Sequence, residues 1–259
     1  MSLVYDCCMV FQELDMLDLR FAILNDAVDY FVIVESGMTH SGKPKSRTFW
    51  DAFEAGRYDA YKDQIIYAYL HELEGAHSWD RERFNRAHIG KILQYNAAPE
   101  DWVIVADADE IPTPEAIELV RVAGGDAAAL ELALYYYNFS TRVHQGWGIG
   151  MCKWSVCQDA NAIRRCEFGR AHVTIKDAGY HLSYFLTPEG IADKLDAFMH
   201  HADVAANVPR DPAWIAEKMR AGQDLFGRTT VMERVATNGN LPAVVAANME
   251  KYRALGWVE

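Results

Sequence analysis

The chain has 259 residues, 51% hydrophobic and 24% charged. That composition supports a packed core and excludes a disordered chain, a collagen-like repeat and a small disulfide-stapled scaffold. Lys and Arg number 25 against 37 Asp and Glu, a net charge of −12; such a surface repels phosphate backbones and anionic lipid, so neither nucleic acid nor a membrane surface is an expected partner.

Val4 to Phe11 reads as a buried strand, apolar except for Asp6, and Leu14, Leu17, Phe21 and Leu24 recur at helical spacing through Asn25. Tyr30 to Val34 forms a second strand that ends in Glu35-Ser36-Gly37. Met38 to Arg57, polar and aromatic without a period, reads as a functional loop with a short helix. Gln64 to Tyr69 is a third strand. Ser78 caps a helix through Tyr95 with Phe84, Ala87 or His88, and Ile92 facing inward. Trp102 to Ala106 is a fourth strand that runs straight into Asp107-Ala108-Asp109-Glu110.

Thr113-Pro114-Glu115 supplies an N-cap, an N1 proline and a first-turn acid for a helix stopped by Gly124-Gly125. Ala129 to Tyr137 is a fifth strand. Gly146, Gly148 and Gly150, interleaved with Trp147, mark a mobile or closely approached loop. Val173 to Phe185 holds one or two strands broken at Gly179. Thr187-Pro188-Glu189 and Asp211-Pro212 each open a helix, His200-His201 end one, and another begins near Leu241. The alternation predicts an α/β fold with a largely parallel sheet over residues 1–186, and a helical C-terminal extension packed on it over 187–259. The odd count of five cysteines, with Cys7 and Cys8 on opposite strand faces, predicts free thiols.

Asp107 and Asp109 sit where an apolar strand meets a proline-marked turn, the end at which open α/β sheets bind ligands. If the backbone stays extended, residues two apart share a side and the carboxylates converge. Two hard oxygen donors suit Mg²⁺ or Mn²⁺, with the remaining ligands coming from water and a diphosphate. The bland alternative is a solvated turn.

Val28 to Ser36, Trp79 to Arg86, Asp107-Ala108-Asp109-Glu110-Ile111-Pro112, and Gly179-Tyr180-His181 through Thr187-Pro188-Glu189-Gly190 resemble glycosyltransferase family 17, in the same order. The resemblance implies a GT-A type fold and metal-dependent, inverting transfer from a nucleotide-diphosphate sugar to a glycan or glycoconjugate. The implied donor is a UDP-sugar, with N-acetylglucosamine as the sugar. It places Asp107 at the ribose or the metal, Asp109 at the metal, and Glu35 at the nucleoside. His181, in the Gly-Tyr-His segment, would complete the metal site, with a buried strand histidine as the alternative.

Arg83 and Arg86, three apart on one helix face, would address the diphosphate or the base; pairing with Asp80 and Glu82 explains them equally well. An inverting displacement needs a general base. Glu189 is the candidate because it belongs to the matched Thr-Pro-Glu-Gly run, although a helix first turn also suits an acid for purely structural reasons. Glu110, Asp159 and Glu167 remain open as bases. Tyr135, Tyr136, Tyr137, Trp147 and Trp154 offer flat faces for sugar stacking, or belong to the core.

The N-terminus shows no signal peptide or anchor, and no run approaches the roughly 18 apolar residues of a membrane span. The expectation is therefore a cytoplasmic, bacterial enzyme. Two competing classes stand beside it. Gly37 to Pro44 imitates a P-loop but has Pro44 where a hydroxyl should hold Mg²⁺, so a nucleotide hydrolase is the weaker reading. A non-catalytic nucleotide-sugar binding module is the other.

Overall fold

The computed structural model describes residues 2–197, 208–237 and 241–259. The first half alternates as the hydropathy pattern predicts: β1 (Val4–Val10), α1 (Leu14–Leu24), β2 (Tyr30–Ser36), α2 (Thr48–Glu54), β3 (Ile65–Leu70), α3 (Ser78–Asn96) and β4 (Trp102–Val105). Then follow β5 (Glu110–Pro112), α4 (Pro114–Val122), β6 (Ala127–Tyr136), β7 (Thr141–Lys153), α5 (Ala160–Arg164), β8 (Val173–Ile175) and β9 (Gly179–Ser183). The chain ends with α6 (Pro188–Ala197), α7 (Pro212–Ala221), β10 (Met232–Arg234), α8 (Ala243–Ala247) and α9 (Met249–Ala254).

Among the described residues the strands form one sheet in the order β3-β2-β1-β4-β7-β6-β9-β5, with β10 added to β7 and β8 to β6. The period-2 alternation of the central strands explains the two layers that cover it. Val4, Cys8 and Val10 of β1, Phe31 and Ile33 of β2, and Trp102 and Ile104 of β4 share a core with α1 and the C-terminal residues Tyr252, Trp257 and Val258. The intervening Tyr5, Cys7, Val32, Val34, Val103 and Val105 pack instead against Ile89 and Leu93 of α3 and Ile163 of α5. Cys7 and Cys8 do face opposite sides, and all five cysteines are free.

The sheet is mixed rather than largely parallel. β1, β2, β3 and β4 run parallel, but β7 runs antiparallel to both β4 and β6, and β5 antiparallel to β9. The glycine tract expected as a loop lies inside the 13-residue strand β7. Its glycines serve close approach: a Cβ on Gly150 would stand 1.9 Å from the carbonyl oxygen of Ile163, so the bare backbone lets α5 sit against β7. The region expected to be helical from residue 187 also contributes a strand, β10, paired with β7.

In α3 the buried residues are Asn85, Arg86, Ile89 and Leu93, not the Phe84, His88 and Ile92 stripe. Two polar side chains occupy the inward face there, which hydropathy assigns to solvent. No described helix is long and apolar enough to cross a membrane.

Candidate active site

β1 to β4 all end on one edge, and the chain leaves β4 there through Ala106 into a turn closed by the Glu110 N–H donating to the Asp107 carbonyl at 3.0 Å. The loop is held from beneath. Arg20 of α1, with no solvent exposure, donates to the carbonyls of Asp107 (3.0 Å) and Glu110 (2.8 Å). Its guanidinium is itself fixed by two 2.6 Å bonds to the buried Asp6 of β1. Asp6, the one polar residue in its strand, is thus the anchor of the Asp-Ala-Asp turn.

The backbone turns instead of staying extended, and the two aspartates take different partners. Asp107 accepts from Arg86 on α3 and from Arg164 on α5, each at 3.1 Å. Burial alone would push its carboxyl up, but Arg164 and Arg86 outweigh it and hold the group well below the usual carboxylate range. Glu110, 1% exposed, pairs with Arg164 and accepts the Asp107 backbone N–H at 2.8 Å. Burial, with the Asp107 charge adding to it, raises its pKa. It is a buried structural acid with its oxygens occupied.

Asp109 has other partners. Its Oδ2 lies 3.3 Å from Lys194 Nζ of α6, and its Oδ1 lies 3.9 Å from His181 Nε2. His181 arrives through strand pairing: β9 lies antiparallel to β5 with His181 opposite Glu110, and the Leu182 N–H donates to the Asp109 carbonyl at 2.8 Å. Gly179 makes that pairing possible, with φ at +153° and a position where a Cβ would stand 2.2 Å from the Ile111 carbonyl oxygen. Burial holds His181 below its ordinary pKa, so the imidazole is neutral at pH 7 and able to ligate. Lys194 is raised: burial works against its charge, but Asp109 and then Glu13 more than compensate.

Among the described residues, no three His, Cys, Asp or Glu side chains are grouped to hold a metal. The pair Asp109 and His181 nevertheless suits a divalent ion that takes its other ligands from a diphosphate and water. Asp107, expected at the ribose or the metal, accepts from two arginines and keeps 40% of its side chain exposed.

The other candidates separate. Glu35 is fully buried, accepting the N–H groups of Phe49 (3.0 Å) and Trp50 (3.2 Å) at the start of α2 and the Tyr67 hydroxyl (2.8 Å). In this structure it caps a helix. Arg83, 60% exposed, pairs with Asp80 at 2.5 Å, whereas Arg86 is 8% exposed. Glu189 is exposed in the first turn of α6, where Thr187 Oγ1 accepts the Gly190 N–H at 3.2 Å. Asp159 caps α5, and Glu167 pairs with Arg165.

Tyr135, Tyr136, Tyr137 and Trp154 are core residues; the Trp147 side chain and His200-His201 lie outside what is described. The P-loop imitation folds back on itself, with Thr39 N–H donating to the Lys43 carbonyl (2.7 Å) and Gly42 N–H to the Thr39 carbonyl (2.9 Å). Those amides are spent inside the loop and do not cradle a phosphate.

Arg20, Arg164 and Lys194 are the contributors that sequence reasoning misses. The only hint for Arg164 is an Arg164-Arg165 doublet in an acidic chain. Lys194 is one helical turn beyond the Thr-Pro-Glu-Gly run, on a helix whose docking no local pattern reveals.

Comparison with known proteins gives relatives among the β-1,4-mannosyl-glycoprotein 4-β-N-acetylglucosaminyltransferases. Those of Rattus norvegicus and Homo sapiens are each 27% identical, over 71% of this chain and 40% of their own length. The chain thus spans well under half the length of the curated relatives it matches. Among solved structures, glucosyl-3-phosphoglycerate synthase from Mycobacterium tuberculosis, in complex with phosphoglyceric acid, is 11% identical with a TM-score of 0.38 over 95% of this chain and 91% of that one. The same enzyme with Mn²⁺, uridine diphosphate and phosphoglyceric acid gives 0.37 at 11% identity over the same shares. These likenesses are too distant to bear on which residues act. The model for glycosyltransferase family 17 matches residues 2–255, nearly the whole chain, and the chain belongs to that family.

Proposed function

We propose that the protein is a metal-dependent, inverting glycosyltransferase of GT-A type, which moves a sugar from a nucleotide-diphosphate donor to a glycan or glycoconjugate acceptor. N-acetylglucosamine is the proposed sugar, on the strength of what the relatives are named for, and UDP is the carrier that the family resemblance implies. The observation that carries the reading is the placement of Asp109 and the neutral His181 side by side at the carboxyl edge of the parallel strands. A divalent cation there would act as a Lewis acid on the departing diphosphate. Arg86 and Arg164 fix Asp107, and through it the turn that presents Asp109. Lys194 shares the Asp109 carboxylate and competes with the cation for it in the nucleotide-free protein.

A thermal-shift screen of nucleotide diphosphates and nucleotide sugars, with and without Mn²⁺, tests this. The expected result is a melting temperature raised by a uridine nucleotide only when Mn²⁺ is present. Asp109→Asn, which keeps an oxygen facing Lys194, should remain folded in buffer and lose that shift. An undiminished Mn²⁺-dependent shift in the variant would remove the cation from Asp109, and a shift by ATP without any sugar nucleotide response would favour a hydrolase.

A further inference from the structure

We infer that Glu13, at the start of α1, is the general base that takes the proton from the acceptor hydroxyl; the inference rests on the transferase reading above. A cavity of about 190 Å³ opens beside Asp109, bounded by the entry to α1, the turn from β9 into α6 and the C-terminal residues Ala254 to Trp257. Three acids line it: Glu13, Asp15 and Asp109. Asp15 is tied to Arg57 at 2.5 Å, and Asp109 is the cation's partner. Glu13 is the acid left to act on a substrate there.

Its geometry suits the task. Oε2 accepts the N–H groups of Phe11 (3.0 Å) and Gln12 (3.1 Å), which fixes the carboxylate, while Oε1 stands on the Lys194 side at 3.8 Å. Glu13 Oε1 and Asp109 Oδ2 both lie within 4 Å of the same ammonium nitrogen. With the proposed base and the proposed cation site lining one small cavity, an acceptor hydroxyl and the donor's anomeric carbon can meet inside it. Leu182, Phe185 and Trp257 give the cavity an apolar wall against which a sugar ring can lie. Glu189, by contrast, is not among the lining residues.

In the step itself the acceptor oxygen forms a bond to the anomeric carbon as its proton passes to Glu13 Oε1. The bond between that carbon and the β-phosphate oxygen breaks, and its electron pair leaves with the nucleoside diphosphate. Water in the cavity undergoes the same reaction slowly, so no acceptor needs to be known for the test.

UDP release from UDP-N-acetylglucosamine with Mn²⁺ is measured for the parent protein, Glu13→Gln, Glu13→Asp and Glu189→Gln, alongside calorimetric UDP affinity in Mn²⁺ and the melting temperature. Glu13→Gln retains an oxygen for the two backbone N–H groups, and Glu13→Asp retains the charge beside Lys194, so at least one is expected to fold as the parent does. The folded variants should keep UDP affinity within about twofold and lose on the order of 10²–10⁴-fold in UDP release. Release at the parental rate from a folded Glu13 variant, or loss in Glu189→Gln alone, overturns the role of Glu13 and leaves the transferase reading intact. A parent protein that neither binds UDP with Mn²⁺ nor releases it overturns the transferase reading, and the base with it.

Discussion

Arg20 and Asp6 show how much a single buried pair controls. Neither has solvent exposure, and the guanidinium spends its remaining donors on the carbonyls of the Asp-Ala-Asp turn. Arg20→Met should destabilise the protein by about 3–5 kcal/mol, because it strands a carboxylate in the core and orphans those carbonyls. The double variant Asp6→Leu with Arg20→Met removes the stranded charge and should recover part of that loss. Urea denaturation of both would decide it; a single variant no less stable than the double would mean that the pair does not anchor the turn. The sequence shows Asp107, Asp109 and Arg86 because each belongs to a local pattern, a strand end or a helix start. It does not show Arg20 or Arg164, which reach their partners across 87 and 57 residues of chain. A lone Asp in an apolar strand was the only available signal for the anchor beneath them.

At the scale of elements, the parallel strands and their helices are legible because each is a continuous apolar run or a clear 3.6-residue stripe. The antiparallel half is not, since its pairing depends on glycines whose role appears only when two backbones meet. Gly150 is the sharpest case. Its alternation with Gly146 and Gly148 imitates a loop, yet it lies in β7 opposite Val105, with the Ile163 carbonyl filling the space a side chain would take.

Gly150→Ala should therefore push α5 off the sheet, at a cost of about 1–3 kcal/mol as an overpacked site. Because α5 carries Arg164, the displacement should also loosen Asp107 and weaken UDP binding in Mn²⁺. Calorimetry at a temperature where the variant is fully folded separates the two effects. Parental affinity in a destabilised variant would show that α5 supports the fold without positioning the turn.

For the molecule as a whole, the question is whether the region after residue 187 is an appendage. Its last segment argues against that. Val245, Tyr252, Trp257 and Val258 are each at most 4% exposed and share one core with Phe21, Leu24 and Phe31. The Phe139 N–H donates to the Trp257 carbonyl at 3.0 Å, and Trp257 also lines the cavity beside Asp109.

A buried apolar side chain contributes roughly 1.5–3 kcal/mol. Losing four removes an amount comparable to the roughly 5–15 kcal/mol by which whole domains are stable. A chain ending at residue 240 is thus expected to lose its cooperative thermal transition, with the 259-residue chain melting in a single step. If the shortened chain melts cooperatively within a few degrees of the parent, the core closes without its C-terminus. Trp257 would then matter only as a wall of the cavity, and the shortened chain should still bind UDP with Mn²⁺.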